Sequence, residues 1–224
     1  VKLVDFKASE KVQPEAADSE CNRFKGENYY YNEEFDRWTS RDTVTVIFMG
    51  KDPESDSTAD VVVEELADVP YGTATGVTDS TTKPYYYSGQ LVYMFNGWKD
   101  SVDNKVYSSD DENIRFAFND DTTYTAQYKG CRNYYNLTIN GYDGTELYSN
   151  SRQNYTSDVS YTGEAPTRSN YVFVGWTSSV DGQIYTEIPK TLDPADVINV
   201  ADITGISYAA SVTYTATYRR SNYS

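Results

Sequence analysis

The sequence predicts a mainly β protein in which one structural unit occurs twice behind an N-terminal arm. Three observations carry this. Thr, Val, Tyr and Ser are abundant while Leu is scarce, which is strand rather than helix composition. An aromatic-x-Phe-x-Gly-Trp box occurs as Tyr93-Met-Phe-Asn-Gly-Trp98 and again as Tyr171-Val-Phe-Val-Gly-Trp176. A Tyr-Thr-Ala strand follows each box, as Thr123-Tyr-Thr-Ala-Gln-Tyr128 and Thr213-Tyr-Thr-Ala-Thr-Tyr218.

Composition narrows the function before any motif is weighed. The 224 residues suffice for two domains of about 100 residues each. A net charge of −15 repels nucleic acid and anionic lipid. With no His, the His-based nucleophile triads and the commonest zinc sites are excluded. No apolar run is long enough for a membrane span, and 15% aromatic residues is too high for a disordered chain. Residue 1 is Val with no Met or signal-like segment before it, so a processed chain or a fragment is expected.

The arm occupies residues 1–42. Val1, Leu3, Val4 and Phe6 make a candidate strand, either an added edge on the first unit or a strand donated to a neighbouring copy. Residues 7–20 read as a polar linker, and 24–38 as an aromatic, acidic stretch. Cys21 and Cys131 are the only cysteines. An even count in such a chain suggests one disulfide in an oxidising compartment, the plain alternative being two buried thiols. The bridge would close a loop of about 110 residues, a contribution of about 4–5 kcal/mol by loop-closure entropy.

The first unit is expected over residues 43–130 and the second over 131–219, with a tail at 220–224. Each opens on a strand, Val44-Thr-Val-Ile-Phe48 or Tyr135-Asn-Leu-Thr-Ile139. The boxes stand 78 residues apart (Trp98 to Trp176) but the Tyr-Thr-Ala strands 90 apart (Tyr124 to Tyr214). The second unit therefore carries an insertion, and Thr191–Val200 fills it. Asp193 suits an N-cap and Pro194 the first helical position, so a short helix starts there. The first unit is instead longer ahead of its box, in the acidic loop 50–60, where the second has Tyr142-Asp-Gly-Thr145, a hairpin signal. Within each last strand, Tyr124, Ala126 and Tyr128, or Tyr214, Ala216 and Tyr218, share one face. The small Ala leaves room for Trp98 or Trp176, both read as core. Gly97 and Gly175 before them mark a bulge or a close backbone approach.

Each unit resembles the Listeria–Bacteroides repeat, the family of the B-repeats in internalin-type surface proteins. The resemblance rests on Asp143-Gly144, Pro166, Gly175-Trp176 and Tyr214-Thr-Ala-Thr-Tyr218 in the second unit. In the first it rests on Tyr71-Gly72, Pro84, Gly97-Trp98 and Tyr124-Thr-Ala-Gln-Tyr128. The second unit departs with Tyr161-Thr-Gly163 where a bare Tyr-Gly is expected, and the first lacks the Asp-Gly turn. The resemblance implies two tandem β-grasp-like domains with short helical insertions, displayed outside the cell, and it supplies no catalytic residues.

Other chemistry is thinly signalled. The first unit holds the excess acid, in Asp100/Asp103/Asn104, Asp110-Asp-Glu112 and Asn119-Asp-Asp121, but no EF-hand spacing accompanies it, and solvated loop charge is the expected role. Carboxylate pairs that could cleave glycosides cannot be singled out. Asn136, Asn154 and Asn222 stand in N-glycosylation triplets. The runs Tyr29-Tyr-Tyr31, Tyr85-Tyr-Tyr87 and Tyr134-Tyr135 would present rings on both faces of a strand, for a partner, a second copy or a sugar. The expected function is a non-enzymatic extracellular structural or adhesive protein, a self-assembling subunit of a surface fibre, layer or appendage, with no cofactor. The alternatives are a phage virion component and a monomeric glycan- or receptor-binding module.

Overall fold

The structure, a computed structural model, describes residues 29–32, 37–40, 43–70, 79–111, 114 and 121–222. It is mainly β, as the composition requires. A hairpin pairs β1 (Tyr29–Asn32) with β2 (Arg37–Ser40), Tyr31 opposite Trp38. These two strands form a sheet of their own. The candidate strand at Val1, Leu3, Val4 and Phe6 lies outside the described residues.

The remaining strands form two sheets. The first contains β3 (Thr43–Gly50), β4 (Val61–Pro70), β5 (Tyr85–Ser88), β6 (Leu91–Asp100), β7 (Val106–Tyr107) and β8 (Thr122–Arg132). Its order is β4-β3-β8-β6-β5, with β7 also paired to β6. The second contains β9 (Tyr134–Asn140), β10 (Glu146–Asn154), β11 (Tyr171–Ser178), β12 (Ile184–Tyr185) and β13 (Ala210–Arg220), in the order β10-β9-β13-β11-β12. In both, the first strand forms an antiparallel pair with the second and runs parallel to the last. In both, the Gly-Trp strand lies beside the last strand and carries a two-residue partner, with Trp98 opposite Tyr107 and Trp176 opposite Tyr185.

Local chemistry explains the connections. The β9–β10 turn is Tyr142-Asp143-Gly144-Thr145, where Gly144 has φ 84° and the Asp143 carboxylate accepts the Thr145 amide at 3.0 Å. Helix α1 (Pro194–Val197) starts where Asp193 accepts the Ala195 amide at 2.9 Å and Pro194 fills the first turn.

The two compact units cut across the linear boundary at 130/131. One runs to Pro84 and resumes over Phe95–Tyr128; the other holds Tyr85–Met94 and Lys129–Ser224. The first core gathers Val46, Phe48, Trp98, Ile114 and Tyr124. Phe48 stacks on Tyr124 at 5.2 Å between centroids and meets Trp98 edge-on at 5.3 Å. The second core gathers Val92, Met94, Tyr135, Leu137, Ile139 and Tyr214 among others. Apolar alternation along β6 marks Val92 and Met94 as inward-facing but does not say into which core they turn.

Cys131, one end of the expected Cys21–Cys131 bridge, carries a free thiol, fully buried in the second core. Burial pushes that thiol up to about 11. Cys21 itself lies outside the described residues.

Candidate functional site

The Gly-Trp box is the start of a longer shared motif. Eleven residues, Gly97–Tyr107, match Gly175–Tyr185 position for position in their bonding, although only Gly, Trp, Ser, Val, Asp and Tyr are common. Each stretch leaves the sheet, turns, and returns as the two-residue strand β7 or β12.

The turn is built from the same hydrogen bonds twice. Asp100 N–H donates to Lys105 O, and Ser178 N–H to Gln183 O, both at 2.9 Å. Asn104 N–H donates to Asp100 O at 3.0 Å, and Gly182 N–H to Ser178 O at 2.9 Å. Both Asn104 and Gly182 have positive φ, 61° and 72°, the left-handed conformation that Asn and Gly adopt most readily. The turn is also tied to the last strand. Ser101 N–H donates to Thr123 O while Ser101 Oγ accepts the Thr123 amide, both at 3.0 Å. Ser179 and Thr213 repeat this exchange at 2.9 Å.

Side chains complete the clamp. The buried Asp100 carboxylate accepts the Val102 amide at 2.6 Å; Ser178 Oγ accepts the Val180 amide at 3.1 Å. Asp103 accepts the Lys105 amide at 2.8 Å and Asp181 the Gln183 amide at 2.9 Å. Tyr107 donates its hydroxyl to Asp103, and Tyr185 donates to Asp181. The Asp103 bond pushes Tyr107 up to about 12, with partial burial adding to it. The Tyr185 bond and the Gln183 amide hold the Asp181 carboxyl below the usual carboxylate range. Asp100 and Asp103 therefore serve as acceptors inside a turn rather than as solvated loop charge. Among the described residues no three acidic or cysteine side chains converge as a metal-ligand set.

This bonding holds apolar side chains out in solvent. Val102 is 60% and Val106 47% exposed; Val180 is 36% and Ile184 52% exposed. Single exposed apolar residues are ordinary; here a branched pair is held outward on the same hydrogen-bonded turn, twice in one chain. The glycine at its base is obligatory. Gly97 has φ 99° and Gly175 φ 149°, and a Cβ there would stand 2.7 Å from Tyr107 O or 2.5 Å from Tyr185 O. At Gly175 the β11–β13 register shifts, which lets Trp176 turn inward opposite Ala216.

The other sequence-singled residues divide between core and surface. Trp98, Tyr124, Ala126, Trp176, Tyr214 and Ala216 are buried. Tyr128 and Tyr218 are half-buried and bind the chain ahead of each box: Tyr128 donates to Lys83 O at 2.8 Å, and Tyr218 donates to Pro166 O. Tyr85 and Tyr87 face one side of β5, while Tyr86 stacks on Tyr93 at 4.9 Å. Tyr135 is buried. Asn136 is half-buried on β9, Asn154 accepts both the amide and the hydroxyl of Thr156, and Asn222 is exposed.

The outer strands β4 and β10 are poor templates for strand addition. Each departs from regular register with its neighbour at two places, and β4 also carries Glu64, Glu65 and Asp68 at φ 54°. No helix among the described residues is long and apolar enough to cross a membrane.

The Gly-Trp boxes alone do not reveal the turn that follows them; its sequence signal is the nine-residue step from Trp to Tyr in both copies, with Ser-Val-Asp at the same offset between them. Compared with known proteins, the chain matches no family model, no curated sequence and no solved structure.

Proposed function

We propose that this chain is a non-enzymatic, extracellular structural or adhesive protein that self-associates into a surface fibre, layer or appendage. The observation that carries the reading is the duplicated turn, which presents Val102 with Val106 and Val180 with Ile184 from a clamped frame. A surface held rigid before contact loses little entropy on binding, which favours association through it. Two such surfaces on one chain allow each copy to meet two neighbours, the requirement for an open assembly.

The strand order supports a β-grasp-like reading of each sheet: the second, first and last strands side by side, then the Gly-Trp strand with its two-residue partner. The Gly-Trp and Tyr-Thr-Ala motifs support kinship with the Listeria–Bacteroides repeat. The irregular β4 and β10 edges favour association through the turns over donation of Val1–Phe6.

The test is the native mass by light scattering with a negative-stain image. A species well above 25.3 kDa, reduced to monomer by Val102→Asp with Val180→Asp but not by deletion of residues 1–8, is the expected result. Loss of assembly only in the deletion would transfer the contact to the arm. A wild-type monomer at every concentration would overturn self-association.

A further inference from the structure

In the second unit an open cleft of about 640 Å³ lies between the crossing segment 159–165 and the segment 186–190. Its size falls within the usual range for small-molecule sites, about 300–1,000 Å³. The aromatic lining is Tyr161, Phe173 and Trp176. Tyr161 and Phe173 both meet the Trp176 ring edge-to-face, at 6.0 and 5.3 Å between centroids. Tyr161 is fixed from behind by Tyr148 at 5.6 Å, and Gly163 allows it to lie flat against the chain. A Cβ on Gly163 would fall 2.7 Å from that ring.

Around the rings stand polar groups with nothing to do. Glu164, Glu187 and Lys190 line the cleft, and among the described residues no ion pair or hydrogen bond engages their side chains. Thr162 and Thr186 add two hydroxyls. The backbone offers no free strand edge at this point, because Val159 N–H is already bonded to Lys190 O at 2.8 Å.

We infer that this cleft binds an uncharged pyranose sugar. Elimination and fit lead to the same ligand. An anionic ligand would face two carboxylates against one ammonium in a chain of charge −15. A cationic ligand could meet both carboxylates but would leave the Lys190 ammonium unmatched, and a wholly apolar one would desolvate three charges without partners. An extended peptide has no unpaired backbone edge to join at Val159. A pyranose offers one apolar C–H face for Tyr161 or Phe173 and a rim of hydroxyls. Those hydroxyls donate to Glu164 and Glu187 and accept from Lys190. The inference is independent of self-association, since a monomer presents the same cleft.

The test is saturation-transfer NMR on the full chain with cellobiose, maltose, lactose and chitobiose at millimolar concentration, beside sialyllactose and sulfated lactose. At least one neutral disaccharide should bind. Its affinity should fall about tenfold in Glu187→Gln, which removes one charged hydrogen bond at an exposed residue without disturbing the core. Tyr161→Ala should abolish the transfer. No transfer from any of the four neutral sugars overturns the inference. So does a preference for the anionic sugars, or binding that survives both substitutions.

Discussion

Trp176 stands directly opposite Ala216 across the antiparallel β11–β13 pair, the indole filling the space that the methyl leaves. Both are buried in the second core. A larger side chain at 216 has nowhere to go, since Tyr214 and Tyr218 flank it on the same face. Ala216→Leu should cost about 1–3 kcal/mol through overpacking. Urea unfolding of the variant reads it directly. A midpoint equal to that of the wild type would mean that the indole does not depend on the small residue.

Gly97 and Gly175 should be intolerant even of alanine. Each has positive φ, and each faces a carbonyl oxygen across the turn at a distance that a Cβ cannot occupy. Gly175→Ala should lose about 1–3 kcal/mol, and Gly97→Ala a similar amount. Gly144 is the control. It also has positive φ, but nothing stands within 4 Å of its added Cβ, so Gly144→Ala carries only the conformational part. If all three alanines destabilise equally, the carbonyl contact is not what fixes the glycine in the box.

Much of this was legible in the sequence where one residue's local chemistry decides the outcome. Asp143-Gly144 specified a turn, Asp193-Pro194 a helix start, and alternation along Tyr124–Tyr128 an inward face. What stayed hidden depends on partners distant in the chain. Val92 and Met94 are apolar at alternate positions, which sets their face but not the core that receives them. In the sequence the turn after Trp98 looks like an acidic cluster, because Asp100 and Asp103 are carboxylates. Ser178, the equivalent of Asp100, shows that this position needs an acceptor, not a charge, while Asp103 keeps its carboxylate as Asp181 in the second copy. The cleft beside Trp176 is assembled from two loops and has no sequence signature.

Cys131 should behave as a protected thiol. It is fully buried, and burial pushes its pKa up to about 11, so little thiolate exists near neutrality. A maleimide should label it slowly in the folded protein and at once in denaturant. Reductant should leave the thermal midpoint unchanged, whereas loss of a bridge of about 110 residues would cost about 4–5 kcal/mol. A fall in midpoint on reduction would show that Cys131 is bridged.

Alkaline pH should unfold the protein through its tyrosines. Burial raises Tyr214 to about 12 and pushes Tyr135 and Tyr155 above the ordinary phenol value near 10. A group whose folded pKa is raised contributes its full stability below the unfolded value, and that contribution is lost as pH climbs toward the folded one. The loss therefore begins near pH 10, where the unfolded chain ionises freely and the folded core does not. Tyr107 and Tyr185 add to it, because each donates a hydrogen bond to a carboxylate that the ionised ring would repel. Tyr171 opposes it weakly, since a hydrogen bond to Arg220 and the nearby Arg168 charge lower its pKa. Tyrosinate absorbance should rise in two steps, exposed rings first and buried rings only as the β circular dichroism signal disappears. A single titration near pH 10 with the fold intact would mean that these rings are open to solvent, and that the cores described around Tyr135 and Tyr214 are wrong.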